Sequence, residues 1–124
     1  MKTGIPEVTG KIIIYEEESI MVKCRITVLK RIFNADLAGE LCGSATSYCP
    51  CLEEGQVFDA GFEKPEGFCG WAWNDILKYV TVLLAGGNFS RGIFEGWMSQ
   101  DNVMIASCTD GIRPVVFKLE RIEE

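Results

Sequence analysis

The sequence predicts an α+β fold in which a small antiparallel sheet packs on one main helix. Three patterns carry this reading: a strand-like alternation that begins at Met21, a helical recurrence of apolar residues across 71–85, and a strand-turn-strand stretch near the C-terminus. With 124 residues, 48% of them hydrophobic and 24% charged, the chain suffices for one core and is too short for two ordinary domains. The expected organisation is an N-terminal extension over 1–20 and a single α+β domain over 21–124.

Within the extension, Lys11-Ile-Ile-Ile-Tyr15 is a strand candidate, ended by three glutamates. From Met21, Val22, Cys24, Ile26 and Val28 fall on one face, while Lys23, Arg25, Thr27 and Leu29 fall on the other, the pattern of a half-buried strand. Asn34 or Asp36 can cap a short helix reaching about Leu41, and residues 43–47 have loop chemistry. Residues 56–59 read as a brief strand, followed by an irregular stretch over 61–70. Trp73, Ile76, Leu77, Val80, Leu83 and Leu84 then recur at helical spacing, with Asn74, Asp75, Lys78 and Thr81 opposite, and Gly86-Gly87 closes the helix. After a loop over 86–92, strands over 103–108 and 114–122 form a hairpin about Thr109-Asp110-Gly111.

Composition narrows the chemistry. A net charge of −6 opposes attraction to phosphate backbones, so nucleic acid is not an expected partner. The longest mainly apolar run, residues 80–87, is far short of the ~20 residues that cross a bilayer, and the N-terminus has no charged segment leading into an apolar one. No membrane association is expected, and the protein reads as soluble and cytoplasmic, with its six cysteines reduced or metal-bound. The chain has no histidine, which removes imidazole bases, histidine ligands and Ser-His or Cys-His pairs.

Cysteine chemistry is therefore the main candidate, and its positions differ in kind. Cys24 lies on an apolar strand face, where a free thiol packs as a small hydrophobe. Cys42, Cys49 and Cys51 lie on or beside a loop, and the Cys-Pro-Cys sequence can offer two thiolates to a soft metal. Cys69 precedes the central helix, where unpaired amides favour a thiolate, and Cys108 ends a strand. Trp71 and Trp73 point about 200° apart on a helix, so Trp73 takes the core and Trp71 is left to line a pocket or interface beside Cys69. Asp110 is first a turn residue. Arg113, with Lys23, Arg25 and Arg31, forms a candidate anion-contacting set, against which stands simple pairing with the surplus carboxylates.

From Met21 to Glu123 the chain resembles a family of small uncharacterised prokaryotic proteins, found largely in anaerobic bacteria and archaea. The matching motifs are Arg25-Ile-Thr-Val-Leu-Lys30, Cys49-Pro50, Glu54-Gly55-Gln56, Lys64-Pro-Glu-Gly-Phe-Cys69, Trp71-Ala-Trp73, Gly86-Gly-Asn-Phe89 and Cys108-Thr-Asp-Gly-Ile-Arg-Pro-Val115. The resemblance implies that Cys49, Cys69 and Cys108 belong together, while Cys24, Cys42, Cys51 and the extension fall outside the family pattern.

Two functional expectations follow. One is a thiolate site for zinc or an iron–sulfur cluster built from Cys49, Cys69 and Cys108, with Cys51 or Cys42 as a fourth ligand and Trp71, Asp110 and Arg113 as binding residues. The other is a small binding or accessory module with structural cysteines, whose Trp71, Trp97 and Phe68 contact a protein partner or a second copy of the chain. A thiol enzyme with Cys69 as nucleophile ranks third, because it would depend on the helix terminus and cations alone for activation.

Overall fold

A computed structural model describes residues 21–44 and 47–124. The strand candidate around Lys11 and the whole extension lie outside the described residues, as do two positions of the predicted loop over 43–47. Strand β1 (Val22–Arg31) is followed by helix α1 (Ala35–Leu41), strand β2 (Val57–Ala60), helix α2 (Gly70–Leu84), a short 3-10 helix (Gly92–Phe94), and strands β3 (Val103–Ser107) and β4 (Val115–Glu123). The strands form one sheet in the order β2-β1-β4-β3, antiparallel at each pairing. This is the α+β arrangement expected, and α2 is the helix that packs on the sheet.

Alternation decides which face is covered. Cys24, Ile26 and Val28 of β1, Met104 and Ala106 of β3, and Val115, Phe117 and Leu119 of β4 are all buried. They meet Trp73, Ile76, Val80 and Leu83 of α2, which recur every three or four residues and so share one side of the helix, with Ala72 buried beside Trp73. Leu77 and Leu84, placed in the apolar stripe by spacing, are half-buried at its margin. On the other face of the sheet, Arg25 forms a two-pronged ion pair with Asp59, its neighbour in the β1–β2 register.

The ends of α2 have separate causes. Cys69 occupies the N-cap with an extended backbone and no side-chain cap bond. At the C-terminus Gly86 takes φ +92°, its N–H donates to the Leu83 carbonyl, and the Gly87 N–H donates to the Val82 carbonyl, a Schellman closure. A Cβ on Gly87 would lie 2.6 Å from Val82 Cγ1, so the second glycine is required by close approach. The Arg121 guanidinium also donates to the carbonyls of Leu83 and Gly87, tying this end of the helix to β4.

Asn34 is the N-cap of α1, but its side chain does not cap it. Its Nδ2 instead donates to the Gly111 carbonyl at 2.6 Å, and its N–H donates to the Ile112 carbonyl, so the chain after β1 grips the β3–β4 turn.

Because Ile76 is fully buried and Lys78 exposed, Ile76→Ala should cost roughly 2–5 kcal/mol in urea unfolding and Lys78→Ala well under half of that. Equal losses would show that the core face of α2 is wrongly assigned.

Candidate functional site

A cleft of about 470 Å³ opens where β1, β3 and α2 deliver their loops to one end of the sheet. Buried Leu52, Ala72 and Val115 form its floor, and Trp71, 84% exposed, stands at its mouth. Cys49, Cys51, Cys69 and Cys108 line it together with Asp75, Thr109, Asp110 and Arg113. Seven of the residues singled out from sequence as ligands or contacts thus face one space, and Trp97 and Phe68 are not among its lining residues. Cys24 is instead fully buried in β1, and Cys42, at the C-cap of α1, is not among the lining residues.

Each thiol is brought there by a different local cause. Phe68 is 3% exposed and packs against Phe58, Trp73 and Phe117, with ring centroids 5.0, 6.2 and 5.4 Å away. That anchor fixes the next residue, Cys69, at the start of α2. It also corrects the expectation that Phe68 contributes to a contact surface, since a large apolar ring at the centre of the core cannot reach a partner. Cys108 follows β3, its N–H donating to the Val115 carbonyl at 3.1 Å while the Val115 N–H donates back to Cys108 Sγ at 3.3 Å.

The Cys49-Pro50-Cys51 segment depends on Arg31, which spacing alone does not single out. The β1–β4 register pairs Val28 with Phe117 and then Lys30 with Val116, so Leu29 is the extra residue of a bulge. One inserted residue reverses the facing of those after it, and Arg31 pairs with buried Val115 instead of continuing the outer row of Lys23, Arg25 and Thr27. From there its guanidinium donates to the Cys49 carbonyl at 3.0 Å and lies 5.4 Å from the centre of the Tyr48 ring, while its backbone N–H donates to Glu54. Arg31 Nε is buried without a hydrogen-bond partner among the described residues.

On the opposite wall, Asp75 of α2 accepts from the N–H and the hydroxyl of Thr109, tying the helix to the turn after Cys108. Asp110 accepts from the N–H groups of Ile112 and Arg113, the turn role expected of it, and pairs with the Arg113 guanidinium at 3.5 Å. Of the four cations considered as an anion-contacting set, only Arg113 lines the cleft: Arg25 is held by Asp59, Lys23 shares its outer face by alternation, and Arg31 is committed to the loop.

The electrostatics divide the thiols. Burial pushes the Cys24 thiol up to about 12, leaving it protonated and inert near neutrality. The Cys51 thiol is raised chiefly by its hydrogen bond with Cys49 and then by the charge of that neighbour, with burial and Cys69 adding and Arg113 opposing. Cys51 therefore lies within the fields of Cys49, Cys69 and Arg113. All six cysteines are free of disulfides. Among the described residues, no three or more cysteines and carboxylates are gathered as a ready-made set for a metal ion.

No helix among the described residues is long and apolar enough to cross a membrane. Comparison with protein families, curated proteins and solved structures found no match to the chain.

The turn that carries Cys108 and Arg113 should weaken in acid. The Arg113 and Ile112 amides and the Arg113 guanidinium hold Asp110 below the ordinary carboxylate range, so its stabilisation is complete above about pH 4 and is lost as pH falls through the lowered folded value. Asp110→Asn should therefore be less stable than wild type at about pH 6, with the gap closing toward about pH 2. Thermal unfolding across that range checks it, and a gap independent of pH would contradict this role.

Proposed function

We propose that the cleft is a thiolate site for a soft metal, zinc or the iron of an iron–sulfur cluster, with Cys49, Cys69 and Cys108 as ligands and Cys51 as the fourth. The observation that supports this reading is the opening of four free thiols, from three separate segments, onto one space. Zinc and iron–sulfur centres both take thiolates, and a tetrahedral zinc with bonds of about 2.3 Å holds its sulfurs about 3.8 Å apart. Since the donors are not already gathered, loading draws the Cys49-Pro50-Cys51 segment toward Cys69 and Cys108. The metal's affinity for thiolate offsets the cost of bringing several anions together. Four sulfurs close the site as a structural centre, whereas Cys51 standing aside leaves a position open beside Trp71 and Arg113. The absence of disulfides among the cleft cysteines supports a reducing, cytoplasmic setting for such a protein.

Protein purified without oxygen should contain about one metal ion or cluster per chain by elemental analysis. Cys69→Ser and Cys108→Ser should lower that content sharply, while Cys42→Ser, outside the cleft, should keep it. The bound metal should also shield Cys69 from alkylation until a chelator is added. Metal-free protein that takes up neither zinc nor iron on titration overturns the reading.

A second reading draws on the 84% exposure of Trp71, an unusual position for an indole with nothing over it among the described residues. In it the chain is an accessory module, and Trp71 with half-exposed Trp97 contacts a protein partner or a second copy. Light scattering with and without chelator separates the two. A dimer that survives chelation and dissociates in Trp71→Ala favours the module.

A further inference from the structure

We propose that the outer edge of β3 pairs antiparallel with the same edge of a second copy of the chain, joining two four-stranded sheets into one continuous sheet about a twofold axis at Ile105. The inference goes beyond the thiolate reading and uses none of its ligands. β3 pairs with β4 on one side and forms the margin of the sheet on the other. The Arg121 N–H donates to the Asn102 carbonyl at 2.9 Å and the Cys108 N–H donates to the Val115 carbonyl at 3.1 Å, at the two ends of one unbroken register. Hydrogen-bonded and non-hydrogen-bonded pairs alternate along such a ladder. The even-numbered residues of 102–108 therefore turn their backbone groups toward β4, while Val103, Ile105 and Ser107 turn theirs outward. No backbone bond joins these three to another segment among the described residues.

The edge is also unguarded. Sheet margins are commonly blunted by charge, proline, a bulge or brevity. β2, at the opposite margin, has four residues and carries Asp59, whereas Val103–Ser107 contains no charge, proline or glycine and leaves Ile105 exposed. Its free groups match an identical strand. About an axis at Ile105, that residue lies opposite itself and Val103 lies opposite Ser107 of the partner subunit, so every outward N–H and carbonyl finds a partner, two bonds for each of three pairs. A chain of net charge −6 repels its own kind, and this uncharged strip is where a like strand can approach. Beside it, Tyr79 and half-exposed Trp97 line a groove of about 360 Å³ along Met104–Ser107, which the second strand closes. A strip about 17 Å long and about 20 Å deep, for a sheet and its helix layer, is smaller than the roughly 800 Å² per partner of a standard interface. The dimer is therefore of the class that forms and dissociates with concentration, and it sets the two clefts at opposite ends of the joined sheet.

The test uses full-length reduced protein stripped with chelator, so that neither metal nor an intermolecular disulfide can join two chains. Sedimentation velocity over about a hundredfold range of concentration should show monomer passing to dimer. Across that range amide exchange at Val103, Ile105 and Ser107 should slow, while Met104 and Ala106, already bonded to β4, stay protected throughout. Ile105→Lys sets like charges across the axis, and Ile105→Pro removes an outward donor without touching the ladder to β4, so each should be folded by circular dichroism and monomeric. An equimolar mixture of Ile105→Lys and Ile105→Glu should restore the dimer, which a merely destabilised strand would not. A monomer at every concentration overturns the proposal and leaves the edge to a foreign strand. A dimer that persists in Ile105→Lys or is lost in Trp71→Ala overturns it as well. So does slow exchange of the three outward amides in the monomer, because another segment of the chain then covers the edge. Zinc titration tests the thiolate reading separately, so either idea can fail while the other stands.

Discussion

The pairing of β1 with β4 is the constraint on which the remaining structure depends. These are the first and last strands of the described chain, and they run side by side from Val22 opposite Glu123 to Arg31 opposite Val115. An antiparallel ladder in that register puts the end of β1 and the start of β4 at the same edge. The flanking pairings then bring the start of β2 and the end of β3 there as well. Connections at that edge carry Cys49, Cys51, Cys108 and Arg113, and α2 begins there with Cys69. The thiols converge because the topology sends five chain segments to one end of a small sheet, although their positions along the sequence are far apart.

The same sheet sustains opposite chemistries a few residues apart. Cys24 lies between β2 and β4, where burial outweighs a hydrogen bond from the Glu120 backbone and the anion is suppressed. Cys108 lies one residue past a strand end, with an amide directed at its sulfur, and Cys69 lies where the first amides of a helix are unpaired. What separates the element ends from the interior of the ladder is a path to solvent. This division explains why a cysteine-rich chain can both pack and react.

Much of the architecture could be read from hydrophobic period. The alternation from Val22 to Val28, the recurrence through Trp73, Ile76, Val80 and Leu83, and the hairpin about Asp110 correspond to β1, α2 and β3–β4 because each buries one face against the others. That Cys49, Cys69 and Cys108 line one cleft agrees with their places at element ends, although they are not gathered as a ready-made set among the described residues. Three features were not legible. The bulge at Leu29 is a register event between two strands, so simple alternation continues Arg31 onto the outer face and hides its hold on the cysteine loop. The Asp75–Thr109 link joins residues that have no local relation, and a polar position on a helix gives no sign of a distant partner. The side chain of Asn34 is a plausible helix cap by residue type, yet a carbonyl of the β3–β4 turn captures it.

The central pairing also has a kinetic side. Val22 and Glu123 are partners roughly a hundred residues apart, so the two middle strands cannot join until β4 has left the ribosome. A hairpin of β3 and β4 and the helix α2 are local and can form early, whereas β1 must wait with its apolar row unpaired. During that wait Cys24 is solvated and its thiol is an ordinary one, open to the oxidants that the finished sheet excludes. Folding rate therefore governs how long this thiol is vulnerable, and slow closure of β1 on β4 would leave a purely structural cysteine open to oxidation.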